Sequence, residues 1–271
     1  MQTSSIEWTE VTWNPTTGCD RISPGCDNCY ALTLAKRLQA MGSPKYQRDG
    51  DPRTSGPGFG VTVHEAALTE PLRWRRPRRV FVNSMSDLGH ARVGRDRLAT
   101  MFAVMALGEQ HTFQVLSKRP NRLRAILTSA EFERAVNVEE DRLCLRQGSY
   151  PPHRWPAPNV WLGTSIESDE YCWRADELRA TPAAVRFLSL EPLLGPLPSL
   201  DLTGIDWVIV GGESGPRFRA LDLDGVREIR DRCVELGVPL FFKQVGGRTP
   251  KAGGRLLDGR TWDEYPREVR A

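Results

Sequence analysis

Cys19, Cys26 and Cys29 lie in one short stretch, GCDRISPGCDNCYA, residues 18–31. Only two residues separate Cys26 from Cys29, so both thiolates can reach one metal centre, a spacing shared by zinc ribbons and iron–sulfur loops. Pro24 and Gly25 would turn the chain back so that Cys19 joins them. A closed structural zinc site needs a fourth Cys or His, and His64 or His90 could supply it only through the fold. Three thiolates on a four-iron cubane would instead leave one iron open to an outside ligand. On thiol geometry alone zinc, an iron–sulfur cluster and unligated thiols all remain open.

A disulfide is disfavoured if the thiols stay reduced. The start of the chain, MQTSSIEWTE, lacks the basic-then-apolar layout of a signal peptide, and no apolar run approaches the ~18 residues of a membrane span. The expectation is a cytoplasmic protein without membrane contact, where cysteines are kept reduced. Cys144, Cys172 and Cys233 are read as inert buried thiols. His64, His90, His111 and His153 form no metal-binding pattern among themselves. The formal net charge of +3 gives no general pull toward nucleic acid. One local exception is RWRRPRR, residues 73–79, whose arginines can pair with phosphate and whose Trp74 can stack on a base. Its ordinary reading is a solvated connection before the next strand.

The elements that must carry these groups show in the apolar pattern. Continuous apolar runs occur at 79–84, 113–119, 160–165, 185–192, 206–214 and 239–244, as expected of parallel strands buried on both faces. The alternating IEWTEVTW, residues 6–13, supplies a first strand. Helical spacing links Leu98, Met101, Phe102 and Met105, and again Leu223, Val226, Ile229, Cys233 and Leu236, which Gly237 and Pro239 terminate. Further helices are expected from Ser168 and directly after the cysteines. About seven β-α units in 271 residues predict an α/β single domain, a full or partial (β/α) barrel of TIM type over 1–244, with a doubly wound open sheet as rival. Insertions are expected at about 41–60 and 136–158, the second containing the Pro-rich loop 147–158. Residues 245–271 read as a C-terminal tail or a lid on the barrel mouth.

Chemistry in such folds gathers at the carboxyl ends of the strands. Asn83, Ser84 and Asp87 follow the second strand, Lys118 and Arg119 the third, Ser165 and Glu167 the fourth. Ser189 and Glu191 end the fifth, Gly211, Gly212 and Glu213 the sixth, Lys243 and Gln244 the last. A single Ser or Asn there is commonly a cap, whereas Glu191 and Lys243 abut buried strands and need partners, each other included. Gly211-Gly212 lacks phosphate-loop spacing and marks a close backbone approach to a ligand or a neighbouring strand.

The stretches IEWTEVTWNPTTGC, SPGCDNCYA, FVNSMSDL, VLSKRP, VWLGTSIES, FLSLEPLLGP, DWVIVGGESGP and FFKQVGG resemble the phage-associated three-cysteine-motif family over nearly the whole chain. That family is in turn similar to radical S-adenosylmethionine (SAM) enzymes such as spore photoproduct lyase. The resemblance implies a [4Fe-4S] cluster on Cys19, Cys26 and Cys29, SAM as cofactor and a 5′-deoxyadenosyl radical as the abstracting species. It also implies a reductant such as flavodoxin or ferredoxin. Two departures stand out: the first cysteine gap is six residues where such enzymes have three, and NSMSD, residues 83–87, replaces their Gly-Gly-Glu. On this resemblance Ser84, Asp87, Lys118, Ser165, Gly211, Gly212 and Glu213 are expected to contact cofactor. Glu191 and Lys243 are expected to act in catalysis, with Glu213 and Gln244 also facing substrate. The implied substrate is a nucleobase in DNA or a nucleotide. The alternative is a zinc-stabilised module that binds nucleic acid or protein without catalysis.

Overall fold

Seven strands run parallel and pair in the order in which the chain makes them: β1 (Val11–Trp13), β2 (Arg79–Val82), β3 (Thr112–Ser117), β4 (Val160–Ser165), β5 (Val185–Leu190), β6 (Trp207–Gly211) and β7 (Leu240–Gln244). This is a computed structural model, and it describes residues 2–4, 6–144, 153–249 and 251–266. Every apolar run noted above is a strand. Strand order never reverses, so the sheet has no topological switch point and the doubly wound rival is excluded. The sheet curls into a half-barrel flanked by helices. It does not close into a full barrel, because both edges are taken by the chain's own ends. Gln2–Thr3 pairs antiparallel outside β1, and the tail bridges Phe241 of β7 through Asp263.

The helices are α1 (Tyr30–Ala40), α2 (Arg95–Leu107), α3 (Pro120–Leu127), α4 (Ala130–Cys144), α5 (Trp173–Arg179) and α6 (Leu223–Leu236). The segment expected to start a helix at Ser168 begins as a 3-10 turn, Asp169–Tyr171, before α5. Asp222 caps α6 by accepting from Asp224 N at 3.0 Å, and Gly237 ends it at φ 67. Residues 136–144, expected within an insertion, belong to α4. It packs on α2, with Phe132 and Phe102 edge to face at 5.7 Å. Residues 145–152 of the expected insertion lie outside the described residues. Cys144, Cys172 and Cys233 are buried, and no helix among the described residues is long and apolar enough to cross a membrane.

Alternation along the strands divides two cores. Val80, Val82, Leu162, Leu188, Leu190, Val208, Val210, Leu240 and Phe242 face the helices. Phe81, Trp161, Phe187, Trp207, Ile209 and Phe241 face inward with Trp8, and fill the concave side with aromatic rings. Trp207 sits centrally, 5.6 Å from Phe187, 5.9 Å from Trp161 and 6.2 Å from Phe241. Gly163 is required here, since a Cβ at that position would overlap the Phe187 ring.

The tail completes this floor. Phe242 N donates to Trp262 O at 2.8 Å and Glu264 N to Leu240 O at 3.1 Å, which covers the β7 edge. Tyr265 stacks at 5.2 Å on Trp207 and lies 4.3 Å beneath the Arg79 guanidinium, joining the β7 side to β2. From 255 to 266 the tail therefore covers the edge and floor instead of the mouth, while residues 267–271 lie outside the described residues.

Candidate functional site

Two or four residues beyond the aromatic floor, the same inward face turns polar. Asn83 follows Phe81, Lys118 follows Leu116, Ser165 follows Trp161, Ser189 and Glu191 follow Phe187, Gly211 follows Ile209, and Lys243 follows Phe241. Polar groups therefore gather at the carboxyl ends of the strands, as the run endings indicated.

The cysteine loop crosses this mouth. Gly18 N bonds Met85 O at 2.9 Å and Ser86 Oγ donates to Gly18 O at 2.7 Å, which ties the start of the loop to the β2 end. Its middle rests on β4, because a Cβ on Gly25 would stand only 3.1 Å from the Glu167 side chain. The far side is held by the β6 loop: Asn28 Nδ2 donates to Glu213 Oε2 at 3.0 Å, and Arg219 Nη2 to Pro24 O at 2.9 Å. Tyr30 Oη, next to Cys29, donates to Ser84 O at 2.6 Å while its ring stays exposed. The six-residue gap is anchored by the 41–60 insertion. Asp20 accepts from Thr54 at 2.7 Å and Ser55 at 2.8 Å, and Arg21 donates to Thr54 O at 3.0 Å. His90 accepts from Arg92 N through Nδ1, so its proton is on Nε2, which donates to Asp20 at 2.9 Å. Burial works to raise the Asp20 carboxyl, but these hydroxyl and imidazole bonds outweigh it and bring the pKa to about 2.

The three thiols are free and partly buried. Burial pushes the Cys19 thiol up to about 12 and Asp87 adds to the rise, with Arg119 opposing. Burial likewise raises Cys29, and the nearby Cys26 raises both, so the three share one locality. Among the described residues no three His, Cys, Asp or Glu side chains converge on a point where one ion could sit.

Most of the other expected site residues already have protein partners. Asp87 accepts from Ser117 Oγ at 2.5 Å, Gly89 N and Arg119 Nη1 at 2.8 Å, and Lys118 N at 3.2 Å. Four protein donors therefore already meet the two oxygens of this carboxylate. Ser84 Oγ pairs with Asn14. Lys118 Nζ lies 3.0 Å from Glu167, a fully buried carboxylate that Arg174 also reaches at 3.1 Å. Burial works to raise Glu167, but Lys118 and Arg174 hold it below the usual range. Ser165 is buried and its carbonyl accepts from Arg174 at 2.8 Å. Glu213 is clamped by Arg219. Lys243 and Glu191 pair with each other at 3.1 Å, still partly open to the mouth, and Ser189 Oγ donates to Glu191 at 3.2 Å.

The glycine pair answers to the protein's own packing. A Cβ on Gly211 would stand 2.9 Å from Glu191 Oε1, and one on Gly212 would collide with the Val245 carbonyl. The Arg-Trp run lies at the opposite end of the sheet. Arg79 opens β2, Arg78 pairs with Glu10 at 3.3 Å, and Trp74 packs on His111 at 5.7 Å. A run that precedes a strand sits at its amino end, away from the mouth.

With this arrangement in hand, comparison with known families gives one match. A family described as protein of unknown function (DUF5131) covers residues 3–266. The chain belongs to that family. No curated protein and no solved structure matches it.

In this DUF5131 chain several site residues escaped the sequence reading. Arg119 was visible only as the neighbour of Lys118, yet its Nη1 donates to Cys19 Sγ at 3.3 Å. Asn28, inside the motif, and Arg219, in no motif, clamp the loop to Glu213. Arg174 lies on α5 and carried no signal at all, because its role depends on how that helix packs under β4.

Proposed function

We propose that the mouth is the active site of a radical SAM enzyme, with Cys19, Cys26 and Cys29 as ligands of a [4Fe-4S] cluster. The observation that carries this reading is one loop of three free thiols held across the polar end of a singly wound parallel half-barrel. Three thiolates are the donor type of such a cluster, each meeting a different iron, whereas a single zinc needs its ligands to converge on one ion, which none do among the described residues. When bound, such a cluster supplies the electron for reductive cleavage of SAM to a 5′-deoxyadenosyl radical.

The chain's own residues would bind, orient and exclude water. Glu167, with Lys118 and Arg174, supports the loop from beneath. Asn28, Glu213 and Arg219 hold it from the far side, and the aromatic floor keeps water from below. Glu191 and Lys243 are the charged pair left open to a ligand in the mouth. The substrate we infer is a nucleobase in DNA or a nucleotide, on the family resemblance alone, because the Arg73–Arg79 run belongs to the other end of the sheet.

Anaerobic reconstitution tests the reading. About four iron and four sulfide per chain, with 5′-deoxyadenosine formed from SAM under reductant and lost in Cys26→Ala, is the expected result. One zinc and no iron would favour the non-catalytic module instead. DNA affinity measured over a salt series tests the substrate class, and no binding at low salt counts against it.

A further inference from the structure

Among the described residues, Cys19 alone of the three thiols has a cationic donor in hydrogen-bonding reach, Arg119 Nη1 at 3.3 Å; Cys26 meets only the Ser23 hydroxyl at 3.8 Å. Besides the sulfur, two oxygens hold the guanidinium, and the backbone of Arg119 is fixed as well. Nη1 also donates to Asp87 Oδ2 at 2.8 Å, Nη2 donates to Asp20 O at 2.8 Å, and the Arg119 backbone N–H is bonded to Ser117 Oγ at 2.9 Å. Asp87 is itself fixed by Ser117 and by the backbone of Gly89 and Lys118. Gly89 leaves room for this arrangement, since a Cβ there would stand 2.5 Å from Ser117 Oγ and 2.8 Å from Arg119 Cβ. The donor is thus preset against the sulfur and mostly shielded from water, its side chain 15% exposed.

We propose that Arg119 is a positioning residue that orients the Cys19 thiolate and raises the reduction potential of the cluster held there. This rests on the cluster reading given above. An N–H bond to a ligating sulfur favours the more negative, reduced state, and the guanidinium offsets the Asp87 carboxylate that acts on Cys19 in the opposite sense; both are recognised levers on iron–sulfur potentials. They act on one corner of the site only, so Cys19 is set apart from Cys26 and Cys29. A lysine cannot replace the guanidinium fully: a compact ammonium keeps the charge but cannot serve a sulfur, a carboxylate and a carbonyl from one rigid plane. The six-residue gap has a purpose on this account. It lets Asp20 O turn toward Arg119 while the Asp20 side chain is anchored to Thr54, Ser55 and His90.

The test compares wild type, Arg119→Lys and Arg119→Met after anaerobic reconstitution with iron and sulfide. Iron and sulfide per chain, thermal melting, the electron-paramagnetic signal of the dithionite-reduced protein and its midpoint potential are measured. The expected order is the highest potential in wild type, a lower one in Arg119→Lys and the lowest in Arg119→Met, with an altered signal in the last at wild-type iron content. Full loading of Arg119→Met with an unchanged potential and signal would overturn the proposal. If Arg119→Met does not load, Arg119→Lys decides: a lowered potential supports the role and an unchanged one overturns it. A wild type that takes up no iron and sulfide overturns the cluster reading and this inference with it, whereas a normal wild-type cluster insensitive to both variants overturns the inference alone.

Discussion

The floor and the mouth of the half-barrel are made by the same face of the same strands, only one or two pleats apart, yet they are held in different ways. The floor is a set of aromatic rings around Trp207, closed by Gly163 beneath Phe187 and by Tyr265 from the tail. The mouth is a set of paired charges: Arg119 with Asp87, Lys118 and Arg174 with Glu167, Lys243 with Glu191, Arg219 with Glu213. Burial of apolar area is non-directional and adds up ring by ring, whereas a buried charge is tolerable only with its partner in place. The floor thus supplies stability, and the mouth fixes the geometry of the cysteine loop at little net gain.

Breaking the floor should have the largest effect. Trp207→Ala removes a fully buried indole that touches five other rings, and is expected to cost about 3–5 kcal/mol in chemical denaturation. A loss below about 1 kcal/mol would mean that the floor is not the main core on the concave side.

A mouth substitution should do far less to stability. Lys243→Met leaves Glu191 bonded to Ser189 and partly hydrated, so the expected loss is on the order of 1 kcal/mol in the same assay. A loss as large as that of Trp207→Ala would erase the distinction between the two regions.

Acid should sharpen the contrast more gently. His64, His90 and His111 are each pushed below the ordinary histidine pKa, chiefly by burial. Between their folded values and the unfolded value of about 6.5, the unfolded chain binds protons that the folded chain does not, so stability falls as pH drops below that point. His153 works the other way, raised by its bond to Glu140, and its contribution is greatest at low pH. The three lowered histidines predict a lower melting temperature at pH 5.5 than at pH 7, with His153 and the Glu140 carboxyl, raised by burial, opposing them. The slope is expected to be shallower in His90→Asn, beside the mouth, and in His111→Asn, at the other end. An unchanged slope in His90→Asn would mean that the mouth does not sense pH.

Much of this was legible in the residues. Six continuous apolar runs and one alternating segment became the seven parallel strands, because a strand covered on both faces must be apolar throughout. Their polar terminations marked the mouth, and the cysteines were assigned to it from position alone. Glu191 and Lys243 were recognised as charges in need of partners, and they are partners. What the residues did not show is a neighbour that lies far along the chain. Asp87 was expected to contact cofactor, and its bonds to Ser117 and Arg119, 30 and 32 residues along the chain, had no local signal. The arginine run, whose ordinary reading was a solvated connection with a nucleic-acid contact as the exception, lies at the amino end of the sheet with Trp74 packed on His111.

Residue type and period along the strands therefore determined which elements form, which face each one buries and at which end polar groups collect, since these depend on neighbours two to four places away. Only the tertiary structure decided that the sheet stays open, with Gln2–Thr3 and the 255–266 tail at its edges, and which charge meets which across the mouth. Closure and pairing depend on strand curl and on side chains of different strands meeting in space, and no local spacing encodes those distances. The three-cysteine motif is local, while the guanidinium that distinguishes Cys19 from the other two arrives from Arg119, between β3 and α3.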